Sequence, residues 1–205
     1  MTTTLRLHHS PMACSLASRL ALQEADIPHE IVLVHTTRGE TRSEAYRRIN
    51  PRGQVPALET PEGVLTESTA ILPYIADLAP GKALMPPPRS FERAQAQMWL
   101  SHLSSTVHVA YGGLLNPDLA PTREVFHARL VTALQGIDAH LEGREYVLAH
   151  FSVVDLYLLV FSLWRVIAGP LPPLPNLDAF QMRMLARPGI GPTIGEEMRL
   201  RAEAA

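Results

Sequence analysis

Asn50-Pro51-Arg52-Gly53-Gln54-Val55-Pro56-Ala57-Leu58 is the stretch that decides the fold. Two prolines bracket a glycine and run straight into an apolar pair, so the backbone must turn sharply and then extend. A Val-Pro bond just before a strand is also where a cis peptide can aim an N–H and a C=O at a ligand instead of a sheet neighbour. Outward from this stretch, short apolar runs alternate with helical patterns. Thr4 to His8 is an expected strand, and Ser10-Pro11 an expected turn. Leu16, Ala17, Leu20, Ala21 and Ala25 then recur at helical spacing until Asp26-Ile27-Pro28 stops them. His29 to Val34, rich in β-branched residues, completes a strand-helix-strand unit whose parallel pairing a right-handed crossover favours. Ala57-Leu58-Glu59 and Val64-Leu65-Thr66 flank Thr60-Pro61-Glu62-Gly63, a hairpin signal, and helical period returns from Ser68 to Leu78.

Pro80-Gly81 and Pro86-Pro87-Pro88 are too proline-rich for helix or central strand, which sets a linker at 81–89 between domains at 1–80 and 90–205. Beyond the linker Phe91 to Tyr111, Glu124 to Leu141 and Val153 to Ile167 carry helical periodicity, and no strand pattern survives. The expected fold is α/β followed by all-α.

The 205 residues are 46% hydrophobic and 19% charged, enough for a substantial core. A formal net charge of −2 offers no basic field for a nucleic acid or an anionic membrane. Met1-Thr2-Thr3-Thr4 lacks a signal-peptide pattern and the longest apolar run, Val153 to Val160, is broken by Asp155, so a cytoplasmic location is expected. Cys14 is the single cysteine, which excludes an internal disulfide, a CxxC pair and a cysteine-based zinc site. The nine histidines show no HExxH or comparable spacing, and no metal is expected.

Several residues admit both a plain and a chemical reading. Glu67-Ser68 opens a helix, so its hydroxyl and amides either cap that helix or receive a carboxylate. Ser10-Pro11-Met12-Ala13-Cys14-Ser15 joins strand to helix. Cys14 is there either a small buried residue or a thiol made acidic by the helix end. Arg38 is a solvated loop charge or a partner for a carboxylate. His102, Ser105 and His108, spaced i, i+3, i+6, share one helical face. Ser152 and Asp155 have capping-box spacing ahead of Leu156, Leu159, Val160, Leu163, Trp164 and Ile167.

Taken in order, these motifs resemble the glutathione transferase family from Ser10 to about Pro188, nearest its bacterial beta class. The resemblance implies a thioredoxin-like N-terminal domain that binds glutathione and a helical domain that lines the electrophile site. It implies Gln54, Val55 and Pro56 at the cysteinyl backbone of glutathione, with Pro56 the cis residue and Val55 the main-chain contact. Glu67 and Ser68 are implied at the γ-glutamyl group, and Arg38 at the glycyl carboxylate. Cys14, Ser15 and His108 are the implied catalytic residues, and Met12, Tyr111 and Trp164 the implied electrophile walls. Met12 stands where the class often has a small residue such as glycine, and Val109 where it often has lysine. Glutathione is then a co-substrate, the partners are a small apolar electrophile and a second copy of the chain, and the role is detoxification. Conjugation and exchange with mixed disulfides are both open. A glutathione-dependent isomerase or dehalogenase, or a non-catalytic glutathione-binding protein, are the alternatives.

Overall fold

In a computed structural model of the chain the described residues are 4–204. Met1, Thr2 and Thr3, part of the stretch read above for its lack of a signal-peptide pattern, lie outside them. Contacts divide the chain into two compact units, one running up to Met85 and taking in the segment from Ala186 onward, the other Pro86–Leu185.

The first unit is built on a four-stranded sheet of β1 (Leu5–His9), β2 (His29–Leu33), β3 (Ala57–Thr60) and β4 (Gly63–Thr66) in the order β2-β1-β3-β4. β1 pairs with β2 in parallel through the register Leu7↔Ile31, and with β3 antiparallel through Leu7↔Leu58. β3 and β4 form the hairpin, Leu58 facing Leu65. The crossover helix α1 (Leu16–Glu24) buries Leu16, Ala17, Leu20 and Ala21, and α3 (Ser68–Leu78) buries Ile71, Leu72 and Ile75. These two helices pack on each other through the apolar stripes that the spacing predicts, and the layer they form is the thioredoxin-like one that the resemblance implies. Between β2 and β3 lies α2 (Glu44–Ile49), N-capped by Ser43. A helix this short carries too few turns to show a period in the sequence.

In the second unit a long helix runs as α4 (Phe91–His102), a π-helical stretch (Leu103–His108) and α5 (Val109–Leu115). It is followed by α6 (Arg123–His140), α7 (Val153–Leu163) and α8 (Pro175–Leu185). Every residue from Val153 to Ser162 is buried, as expected of a helix apolar on all sides. Its capping box is formed. The Ser152 hydroxyl accepts from the Val154 N–H at 3.2 Å, and the Asp155 carboxylate accepts from the Ser152 N–H at 2.8 Å. No helix among the described residues is long and apolar enough to cross a membrane.

The single helical domain expected over 90–205 loses its last segment. Helix α9 (Ile190–Glu203) belongs to the first unit, because its buried Glu197 is bonded to His9, Met12 and Arg19. At its C-terminal end Arg38 donates to the Glu203 carbonyl at 2.7 Å. Thr37 donates to the Ala204 carbonyl at 3.5 Å.

Candidate functional site

The segment between β1 and α1 carries the only thiol. Its turn is closed by the Ala13 N–H on the Ser10 carbonyl at 3.1 Å and the Leu16 N–H on the Ala13 carbonyl at 3.0 Å. Met12 takes φ +58°, in the left-handed region that costs an L-residue with a side chain roughly 1–2 kcal/mol. Its amide donates to Glu197 Oε2 at 2.8 Å, which holds that conformation in place.

Cys14 is buried and its thiol donates to the Val55 carbonyl at 3.3 Å. Burial pushes this thiol up to about 12, with a smaller push from the Glu67 charge. The amides of Ser15 and of Cys14 itself pull the other way and do not compensate. The acidic thiol expected at a helix start is therefore corrected. Helix α1 begins at Leu16, beyond Cys14, and desolvation of the charged form outweighs the amides. Ser15 is fully buried, its hydroxyl 2.8 Å from His9 Nδ1 and accepting from the Ser10 N–H at 3.2 Å.

Facing the thiol is the turn of the Asn50–Leu58 stretch. The Val55–Pro56 peptide bond is cis. The Gln54 carbonyl is fixed by two donors, the Tyr46 hydroxyl and the Asn50 side-chain amide, each at 2.7 Å. Asn50 Oδ1 in turn accepts from the Arg52 N–H at 3.1 Å. Gly53 has φ +64°, and a Cβ there would stand 2.9 Å from the Thr41 carbonyl oxygen, so only glycine fits. Val55, Tyr46 and Val34 form a small apolar cluster against which Ala13 packs, tying the thiol segment to this turn.

Helix α3 opens with Ser68, which is buried, directly after Glu67 at φ +70° and ψ 120°. A non-glycine residue held in so sparsely populated a conformation is a pointer to function. Exposed Arg52 stands 3.6 Å from the Glu67 carboxylate and donates to the Thr66 hydroxyl at 3.1 Å. The first amides of α3 have no carbonyl partner within the helix, so this end presents N–H donors beside a carboxylate and a guanidinium. One side of it suits an anion and the other an ammonium group.

Arg38, expected in a solvated loop or at a carboxylate, spends one donor on the end of α9. In the second unit His108 lies at 5.4 Å, ring centre to ring centre, from Phe161 and at 5.5 Å from Trp164, which is half-buried. Tyr111 is not a wall: it is fully buried, stacks on Phe161 and donates its hydroxyl to the Phe161 carbonyl at 2.9 Å. The common face of His102, Ser105 and His108 is also lost. The π-helical stretch adds a residue to the turn, so His102 and Ser105 line a groove against α6 while His108 packs on Phe161 and Trp164. Ser105 donates from this stretch to the Ser101 carbonyl of α4 at 2.8 Å.

His9 and Glu197 carry no local signal in the sequence, whereas Asn50 and Arg52 do. Both lie inside the decisive stretch, where the Asn50 side chain accepting from an N–H two residues on is a known turn signal. Nothing in the sequence joins His9 to Glu197.

Residues 3–77 match the family model of the glutathione S-transferase N-terminal domain. The glutathione S-transferase GstA of Escherichia coli O157:H7 is 30% identical, covering 94% of this chain and 98% of the relative. Glutathione S-transferase GST-4.5 of Xanthomonas campestris pv. campestris is 34% identical over 89% of this chain and 93% of its own. Among solved structures, the ternary complex of BphK, a bacterial transferase, superposes with a TM-score of 0.87 at 36% identity, covering 94% of this chain and 98% of that one. The beta-class enzyme of Sphingomonas chungbukensis gives 0.86 at 35% over the same shares. With a thioredoxin-like sheet, a cis-proline turn facing a lone cysteine and relatives matched along almost their whole length, this chain belongs to the glutathione S-transferase family, nearest its bacterial beta class.

Proposed function

We propose that this glutathione transferase conjugates glutathione to small apolar electrophiles, a detoxifying reaction, with the sulfur of bound glutathione as the nucleophile and Cys14 as a neutral neighbour. The observation that carries this reading is Cys14 itself, buried and held as a thiol on the Val55 carbonyl. Exchange with mixed disulfides through Cys14 would need the thiolate that burial disfavours. Conjugation needs only modest acidification of the glutathione thiol, because a thiolate is already a good nucleophile near neutral pH.

In this reading the Gln54–Val55–Pro56 backbone takes the cysteinyl part of glutathione. Ser68 and the first amides of α3 take the γ-glutamyl carboxylate, and Glu67 takes its ammonium, oriented by Arg52. Arg38 carries more donors than the one used on Glu203 and serves the glycyl carboxylate. His108 and Trp164 present an aromatic edge to the acceptor. The chain acts as a homodimer through the groove of about 840 Å³ lined by Val109, Ala110, Val125 and Phe126 in the second unit, where Val109 and Val125 are both more than half exposed.

The test is calorimetric titration with glutathione beside turnover with an activated aryl halide. Ser68→Ala should weaken glutathione binding by roughly 1–3 kcal/mol, the cost of leaving a charged partner short of one hydrogen bond. Unchanged affinity would remove Ser68 and the α3 end from the site.

A further inference from the structure

Glu197 is fully buried, yet it is not a simple ion pair. Oε1 and Oε2 receive His9 Nε2 at 2.8 and 3.0 Å, Oε2 also receives the Met12 amide at 2.8 Å, and the Arg19 guanidinium donates to Oε1. Burial alone would raise this carboxyl. The hydrogen bond and charge of His9, the Met12 amide and Arg19 together outweigh it and hold the group below the usual carboxylate range. An ionised carboxylate only accepts, so His9 Nε2 must carry a proton and donate it. The opposite ring nitrogen, Nδ1, lies 2.8 Å from the Ser15 hydroxyl.

A hydroxyl has one proton and two lone pairs. Around Ser15 Oγ stand His9 Nδ1 at 2.8 Å, the Ser10 N–H at 3.2 Å and the Ser10 carbonyl at 3.4 Å. Whichever way the His9 proton is placed, the one hydroxyl proton is taken by His9 Nδ1 or by the Ser10 carbonyl, the Ser10 N–H occupies a lone pair, and the residue is fully buried. The two fixed points, Met12 and Ser15, flank Cys14. One carboxylate on the last helix thus clamps both sides of the thiol segment, directly at Met12 and through an imidazole at Ser15.

We propose that Glu197 is a positioning residue for the thiol segment, acting on Ser15 through His9, and that the Ser15 hydroxyl is engaged in this relay and is not offered to the glutathione sulfur. The proposal rests on the glutathione reading of the Cys14 segment. It makes Ser15 and Glu197 parts of one device, so their effects on the reaction are coupled and not independent.

The experiment combines spectroscopy and kinetics on the full chain. Wild-type protein should show a hydrogen-bonded imidazole Nε2–H resonance assignable to His9, shifted in Glu197→Gln and lost in Glu197→Ala. Glu197→Ala should raise KM for glutathione roughly tenfold, the effect of lost hydrogen bonds to a charged group, and leave KM for the electrophile in place. Glu197→Gln keeps one acceptor oxygen and should recover part of that loss; it also covers the case in which the alanine variant does not fold. Ser15→Ala should lower kcat/KM for glutathione to a similar degree, and Ser15→Ala/Glu197→Gln should be no worse than the more damaged single variant. A His9 Nε2 without a proton overturns the relay. Multiplied effects in the double variant overturn it too, since Ser15 would then act on the sulfur separately. The imidazole resonance is read without glutathione, so failure of the relay is distinct from failure of glutathione binding.

Discussion

Cys14 shows how one residue's neighbours can cancel. Two amides favour its thiolate, but exclusion of water disfavours it more strongly and carries the thiol from 9.0 to about 12. At neutral pH the reactive fraction is then roughly a thousandfold below that of an exposed cysteine. Native protein at pH 7 should therefore take up iodoacetamide at its single thiol far more slowly than the urea-unfolded chain, and oxidised glutathione should leave it unmodified until the fold opens. Intact-mass spectrometry counts the adducts. Rapid labelling of the native chain would restore the acidic-thiol expectation and the exchange chemistry with it. At Met12 the strained φ expected of glycine is kept by a side-chain-bearing residue. The buried Glu197 bond to its amide is the compensation.

Among the elements, α7 ties stability to pH. Asp155 is pushed up to about 7 from 3.8, first by burial, while the Val147 and Ser152 donors pull it down without prevailing. Its folded value lies above its unfolded one, so the folded chain binds the extra proton and is favoured by it. That contribution is complete below about pH 4, declines as pH rises and is gone above about pH 7. Urea unfolding should show a wild-type free energy that falls across this window by a few kcal/mol relative to Asp155→Asn. A pH-independent difference would mean that the capping donors keep the carboxylate ionised. The capping box was legible because its two residues are three apart on one helix start. The π-helical stretch was not, because Leu103–His108 keeps helical composition while its period changes, and a 3.6-residue reading put His102 and His108 on one face.

For the whole molecule, what the sequence hid follows one rule: contacts between residues near in the chain leave a pattern, and distant ones leave none. The sheet, the proline turn and the α3 start lie within the first 80 residues and were readable. Glu197 is separated from His9 by 188 positions, on a helix whose polar surface gave no sign that one carboxylate points inward. The groove along α5 and α6 was equally silent, because Val109 and Val125 read as ordinary helix residues. If it seats a second copy, Val109→Glu/Val125→Glu should move the protein from dimer to monomer in sedimentation at micromolar concentration. A monomeric wild type would discard the dimer. The return of the chain end to the first unit has a heavier consequence. A chain stopped at Leu185 would lose the buried Ile190, Ile194 and Glu197, and leave His9, Arg19 and the Met12 amide facing an absent carboxylate. Each buried isoleucine contributes about 1.5–3 kcal/mol, and breaking a buried charge pair costs about 3–5 kcal/mol. Their sum matches the 5–15 kcal/mol by which whole domains are stable. Truncation should therefore abolish cooperative unfolding of the first unit and its binding of glutathione, while the helical signal of Pro86–Leu185 persists. Near- and far-ultraviolet circular dichroism through a thermal ramp separates the two, and a truncated chain that still melts cooperatively with native glutathione affinity would show that α9 is dispensable to the unit it joins.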